Sequence, residues 1–355
     1  MKNGLVGKLF EGPIDVIGDV HGEIEALRAL LDRLGYNEQG AHSKGRRLVF
    51  VGDLCDRGPD SPGVIALVQG LVESGRAQCV AGNHELNLLR REEKHGNHWY
   101  FEGDHSKHEE TFGSTRRASP QSVPRIALFL KALPVALERS DLRVVHAAWV
   151  TEAVEACRAY EGTVLDAYDE FDRKALESAE GESLLNASRA ERHEYHQAIH
   201  THHPPPPFLH HVAAYEEHYQ MSNPVRVLTS GVERVATAHF YASGKWRFVE
   251  RERWWLDYRE VIPVIFGHYW RWWDPGSHAQ FSKGEPNLFQ NESACGWHRN
   301  LEGREVAFCI DYSAGARFKE RKMGRGGHFH GRLGALRWPE RQIVFDHEDP
   351  ARTIS

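Results

Sequence analysis

Residues suited to binding divalent metal ions follow short apolar runs at five places in this 355-residue chain. The run at 14–17 leads into Gly18-Asp19-Val20-His21-Gly22, and the run at 48–51 into Gly52-Asp53-Leu54-Cys55-Asp56-Arg57-Gly58. Residues 77–81 lead into Gly82-Asn83-His84-Glu85, 142–145 into His146, and 263–266 into Gly267-His268. Two divalent ions about 3.5–4 Å apart need a bridging carboxylate and further hard or borderline ligands. Asp and Asn supply oxygen and His supplies nitrogen, while neighbouring glycines let the backbone turn sharply toward the ions. Each piece alone has an ordinary reading. Asp-x-His is usually a polar surface triplet, Gly-Asp-x-x-Asp-Arg-Gly can be a turn in which Asp56 or Asp60 caps a helix, and Gly-Asn-His-Glu can be a polar turn. Chance explains them poorly as a set, since Asp53 follows Asp19 by 34 residues and Asn83 follows Asp53 by 30.

The elements needed to carry these residues can be read from the same sequence. Apolar positions 24, 27, 30, 31 and 34 recur at helical spacing after the first run, and 64, 65, 68, 71 and 72 after the second. Strands alternating with helices imply a parallel sheet covered on its faces. Active sites of such sheets lie at the carboxyl ends of the strands, where the polar clusters fall. Residues 92–120 read as polar and irregular, 123–133 as a helix, and 150–224 as a largely helical inserted cap broken by Pro204 to Pro207. Strands are expected to resume at 225–228, followed by a hairpin across 237–241 and 246–250 with Ser243-Gly244 at its turn. The division expected is 1–149 and 225–355 as two halves of one core, with the cap between them.

These motifs resemble the calcineurin-like metallophosphoesterases, and more narrowly the phosphoprotein phosphatase branch with its Ser/Thr protein phosphatases and symmetrical diadenosine-tetraphosphate hydrolases. The similarity covers about 14–90, 142–149, 262–270 and 305–346. It implies an α/β (α+β four-layer) fold, a β-sandwich flanked by helices. It also implies hydrolysis of a phosphate ester or anhydride by a bimetal-activated hydroxide. By the same resemblance Asp19 and His21 hold the first metal, Asp53 bridges, and Asn83, His146 and His268 complete the second. His84 is the general acid, Asp56 orients it, and Arg57 grips the phosphate. The implied ions are a manganese pair, or an iron–manganese or iron–zinc pair.

The sequence departs from the protein phosphatases at Ala147-Ala148-Trp149 and Tyr269-Trp270, which puts the substrate rather than the chemistry in question. A peptide substrate predicts an open groove. A small phosphorylated molecule or nucleotide predicts a closed pocket with an aromatic face, for which Tyr269 is the candidate, although packing between cap and core is the favoured reading of the Trp-rich cluster. Arg226, Arg271 and Arg317 are candidates for a second phosphate-binding arginine. A catalytically dead metal-binding scaffold is disfavoured, because every ligand position holds a competent residue.

A net charge of -6 does not suggest general nucleic-acid affinity. No apolar run is long enough to span a bilayer, the first 13 residues lack a signal-peptide pattern, and five scattered cysteines without a CxxC pair suit a reducing cytoplasm. The histidines between 193 and 211 read as an exposed cap loop rather than a metal site, and Cys55 as a buried, inert thiol. The basic run from Arg317 to Arg325 reads equally as a solvated loop or as a feature steering phosphate.

Overall fold

Alternation along the strands decides the architecture. Ile14, Val16, Val49 and Val51 share one apolar cluster with Leu142, Val144, Ile265, Phe308 and Leu336. The residues between them, such as Ile17, Leu48, Phe50, Val145 and Phe266, belong to a second cluster with the helices. Strands buried on both faces make a sandwich: two sheets meet at the first cluster, and helices cover their outer sides.

The computed structural model describes residues 4–104, 106–274, 276–282, 284–290, 292–326, 329–347 and 352–353. In chain order the strands are β1 (Val6–Lys8), β2 (Ile14–Ile17), β3 (Arg47–Phe50), β4 (Ala77–Cys79), β5 (Ala136–Arg139), β6 (Leu142–Val145), β7 (Glu233–Ala242), β8 (Lys245–Arg251), β9 (Val264–Phe266), β10 (His298–Arg299), β11 (Glu305–Cys309), β12 (Gly334–Trp338), β13 (Gln342–Phe345) and β14 (Arg352–Thr353). One sheet has the order β1-β5-β6-β9-β11-β10, the other β14-β13-β12-β2-β3-β4, and β7 with β8 makes a separate two-stranded sheet. β2, β3 and β4 are parallel, as the strand–helix alternation requires, and so are β6, β9 and β11. The helices Ile24–Leu34 and Ser61–Glu73 bury Leu27, Leu30, Val64 and Val68 against the outer face of the second sheet.

Two local expectations differ from the fold. Residues 225–228 form the middle of a helix, Pro224–Ser230, not a strand. Asn223 starts it by accepting from the Val225 and Arg226 amides (3.0 and 3.3 Å), and Pro224 occupies the first turn. This cap signal outweighs the β-branched run that follows. The polar stretch 92–120 also contains a short helix, Ser106–Phe112.

Six helices from Thr151–Arg158 to Pro224–Ser230, followed by the β7–β8 hairpin, fill the connection between the neighbouring strands β6 and β9. The hairpin packs on this helical layer, with Phe248 joining Val212 and Ala213. Trp254 and Trp255 pack on Phe266, ring centres 5.1 and 5.2 Å away. This is the packing role read for them in the sequence.

Candidate active site

The carboxyl ends of β2, β3 and β4 from one sheet and of β6 and β9 from the other bring the polar clusters together around Asp53. Asp53 is 2% exposed. Its Oδ2 lies 3.7 Å from His21 Nε2 and 3.8 Å from His84 Nε2, and its Oδ1 lies 3.4 Å from His146 Nε2. Two groups of potential metal donors result, His21 with Asp53 and His84, and Asp53 with His146 and His268. The Asn83 side-chain oxygen lies 3.0 Å from His268 Nδ1 and 3.3 Å from His146 Nε2. Asp19 is buried at the His268 end, where its carboxylate accepts from the His268 amide (3.1 Å).

The donor set fits divalent cations. His21 and His146 each donate Nδ1–H to a backbone carbonyl, of Cys55 (2.9 Å) and Val51 (2.8 Å), which turns each Nε2 toward Asp53. Metal-binding histidines are oriented in this way. His268 Nε2 is buried without a hydrogen-bond partner among the described residues. Burial, reinforced by Arg57, holds His21 well below its ordinary range and so favours the neutral, ligating form. Burial also opposes charge on His146, but Asp53 outweighs it and raises this group to about 10, so cation binding there must displace a proton. Asp53 is held well below the usual carboxylate range because His146 and His84 outweigh its burial. Burial and the neighbouring Asp311 carboxylate raise Asp19.

On the other side of Asp53, His84 Nδ1 donates to Asp56 Oδ2 (2.5 Å), and the other Asp56 oxygen accepts from Trp99 Nε1 (2.7 Å). Trp99 lies in the segment that reads as polar and irregular in sequence, and nothing local signals its role. Arg57 lies between the two imidazoles, its Nη1 donating to His21 Nε2 (2.8 Å) and its Nη2 to His84 Nε2 (2.9 Å). Burial lowers its guanidinium despite Asp53 and Asp56 nearby.

The backbone of the site is strained. His21, Asp53, Asp56, Arg57 and His268 have φ of 47°, 48°, 74°, 70° and 72°, a region costing a non-glycine residue about 1–3 kcal/mol. Glu85 holds the Asp53 turn and the glycine turn after β4, accepting from the amides of Asp53 (2.9 Å), Leu54 (2.8 Å) and Gly82 (2.8 Å). Glycine is required at two close approaches. A Cβ on Gly82 would lie 2.3 Å from Asp53 Oδ1, and one on Gly267 would lie 2.1 Å from Asp19 Oδ1.

A cavity of about 410 Å³ adjoins the site through Arg57 and runs beneath the cap and hairpin. Tyr269 contributes to its lining, but the residue is only 3% exposed and its ring packs edge-on against Trp255 and Phe266. Trp270, also in the lining, is half-buried and has the Arg57 guanidinium 5.0 Å from its ring centre.

The three candidate arginines are engaged by other groups, although Arg226 also lines the cavity. Arg226 forks onto Asp172 (3.1 and 3.0 Å) and Arg271 donates to the Cys309 and Gly296 carbonyls. Arg317 is buried against Asp346 (2.7 Å). Arg251, at the end of β8, does line the cavity and lies 5.9 Å from the Tyr269 ring.

Removing Asp346 would leave the Arg317 charge buried and unpaired, so Asp346→Ala is expected to cost about 3–5 kcal/mol in chemical denaturation. Burial alone would raise the Asp346 carboxyl, but His347 and Arg317 outweigh it and hold the group below its ordinary value. Its contribution is thus complete above the unfolded carboxyl value of about 4 and is lost as pH falls through the lower folded value.

The basic run is mostly paired, Arg321 with Glu23 (2.6 Å) and Arg325 with Glu320 (3.9 Å), while Lys319 lies 5.8 Å from the Trp270 ring beside the cavity. Among the described residues no group of three metal donors forms in the His/Pro tract, and His202 instead packs on Tyr241 and Trp246. Cys55 is buried, with its thiol pushed well up by burial and by Asp56.

Residues 12–269 match a family model described as calcineurin-like phosphoesterase. The bis(5'-nucleosyl)-tetraphosphatase PrpE [asymmetrical] of Oceanobacillus iheyensis is 52% identical over 80 residues, 22% of this chain and 32% of that protein. Its namesake in Bacillus subtilis is 47% identical over 79 residues, 21% and 32% of the two chains. The chain thus spans about a third of the length of these relatives. A solved cold-active protein-tyrosine phosphatase from a psychrophilic Shewanella aligns with 100% of this chain and 83% of its own, at 15% identity and a TM-score of 0.45.

Proposed function

Because the chain belongs to the calcineurin-like phosphoesterase family, we propose that it hydrolyses a phosphate ester or anhydride at a pair of divalent cations held by Asp19, His21, Asp53, Asn83, His146 and His268. The observation that carries this reading is the position of Asp53, whose two oxygens reach separate groups of buried donors. Bound there, the cations supply activated water at neutral pH and neutralise charge on the phosphate oxygens. Manganese, or an iron-containing pair, is the proposed metal content.

The remaining steps belong to side chains. Arg57 presents two guanidinium nitrogens to the phosphate, a fork suited to paired oxygens. Engaging phosphate draws those nitrogens off His21 and His84 and releases His84 Nε2. That atom then takes up a proton from solvent, giving an imidazolium that Asp56 stabilises, and passes it to the leaving oxygen, while Trp99 fixes the rotamer of Asp56. Arg251 is the proposed second arginine for the same phosphate.

The substrate is proposed to be a small phosphorylated molecule or nucleotide rather than a phosphoprotein. The cavity beside Arg57 takes much of its lining from the cap and hairpin, which supports a small ligand over a protein chain. The proteins similar to this chain are named for a dinucleoside tetraphosphate. No helix among the described residues is long and apolar enough to cross a membrane, and we place the protein in the cytoplasm on account of its free cysteines. The test is to assay manganese-loaded protein against phosphopeptides, mononucleotides and dinucleoside polyphosphates side by side. Higher kcat/KM on the nucleotides is expected, and preference for phosphopeptides would reverse the substrate assignment. Full metal occupancy with no turnover of any of them would leave only a metal-binding scaffold.

A further inference from the structure

The cavity, about 410 Å³, is much larger than one phosphate group needs, and its far wall has a charge pattern of its own. Arg247, Val249 and Arg251 are alternate residues of β8 and all three line it. Alternate residues of a strand share a face, and four residues at the rise of a strand separate Arg247 from Arg251 by about 13 Å along the chain. Arg251 lies at the Tyr269 end, near the metal donors. Arg247 lies toward the hairpin turn, opposite Phe240 in the strand register.

Arg247 is half-buried, and its one hydrogen bond among the described residues is a long one from Nε to the Ala242 carbonyl (3.4 Å). Its two terminal nitrogens, the pair that recognises oxyanions, have no described partner. Among the described residues it forms no ion pair, although Glu216, Glu233, Glu250 and Glu285 also line the cavity. Glu216 is engaged by Arg192 (2.8 Å), and burial raises Glu233 toward its neutral form. Burial lowers the Arg247 guanidinium even with Glu216 and Glu233 close by. A cation that cannot lose its proton and is held partly out of water without a partner favours an anion there.

We infer that Arg247 binds a second anionic group of the substrate, distal to the phosphate that reacts, and so selects an elongated phosphoanhydride over a simple monoester. This rests on the hydrolase reading above and assigns the cap hairpin a part in it. One phosphate held at Arg57 and Arg251 does not fill the four-residue span of β8 as far as Arg247. A chain of linked phosphates does, with its near end at Arg57 and Arg251 and its far end at Arg247. Phe240 and Tyr219, also in the lining, then offer rings to whatever terminates the chain.

The test compares diadenosine tetraphosphate with p-nitrophenyl phosphate on the full, manganese-loaded chain. Loss of one charged hydrogen-bonding partner predicts that Arg247→Ala raises KM for the tetraphosphate about 10- to 100-fold, while kcat on it and both constants on the aryl phosphate stay within about twofold. Arg247→Lys, which keeps the charge, should recover part of the loss, and this separates recognition from a damaged hairpin. Equal changes on the two substrates, or none on either, would overturn the inference. If the unaltered protein hydrolyses the aryl phosphate but not the tetraphosphate, the hairpin assignment fails and the hydrolase reading stands. If it hydrolyses neither, both fail.

Discussion

Replacing His84 with Asn is expected to lower turnover about 100- to 10,000-fold on a substrate with a poor leaving group. The size of the effect follows from the job. An alkoxide or a nucleoside phosphate leaves slowly unless its oxygen is protonated as the bond breaks. His84 is the buried imidazole that has a carboxylate on one nitrogen and faces Arg57 with the other. Asp56 sits 2.5 Å from Nδ1 and is itself fixed by Trp99, so the ring has little freedom to point elsewhere. Asn keeps a polar group of similar reach but cannot release a proton near neutral pH. The measurement is kcat on an alkyl phosphate beside kcat on p-nitrophenyl phosphate. Because the aryl oxide leaves unaided, the loss there should be much smaller. Near-unaltered turnover on the alkyl substrate would remove the acid role, and an equal loss on both would point to disturbed metal binding instead.

How far the site was legible depended on whether its residues follow apolar runs. Asp19, Asp53, Asn83, His146 and His268 each follow a strand that sequence periodicity identifies, and the two-sheet core brings those strand ends together. Local pattern is enough there, because a short buried strand and the glycine turn after it specify each other. Trp99, Arg247 and Arg251 were not legible. Trp99 reaches Asp56 from a polar stretch whose path is set by tertiary packing, and the arginines belong to a hairpin whose place over the cavity depends on helices distant in sequence. The 225–228 segment shows the opposite error. Its β-branched residues outweigh the Asn223-Pro224 start signal in a reading by composition, and the helix forms because two orphan amides are satisfied at its start. Tyr269 was identified as aromatic beside a ligand, but the left-handed backbone of His268 and Trp270 turns Tyr269 inward and leaves Trp270 beside Arg57.

Asp53→Asn should cost at least as much as the loss of His84, and on every substrate alike. Asn preserves the shape and the side-chain oxygen that accepts from the His84 amide (3.1 Å), so the turn should persist. What it removes is the negative charge shared by both donor groups. Partners that merely orient a metal ligand cost about 10- to 100-fold in affinity or activity when lost, and a carboxylate common to two cations should exceed that range. Asp19 cannot take over. Its carboxylate accepts from the His268 amide and can serve one cation but not two, since it lies outside both groups that Asp53 joins. The decisive measurement is metal stoichiometry after dialysis against manganese, taken together with kcat/KM on p-nitrophenyl phosphate and a thermal melt. The expected result is fewer than two cations per chain, activity lower by more than about 100-fold and a folded protein. Two tightly held cations and undiminished hydrolysis in the variant would mean that the charge of Asp53 is not what holds the metals together, and the two-cation site would have to be rebuilt around Asp19.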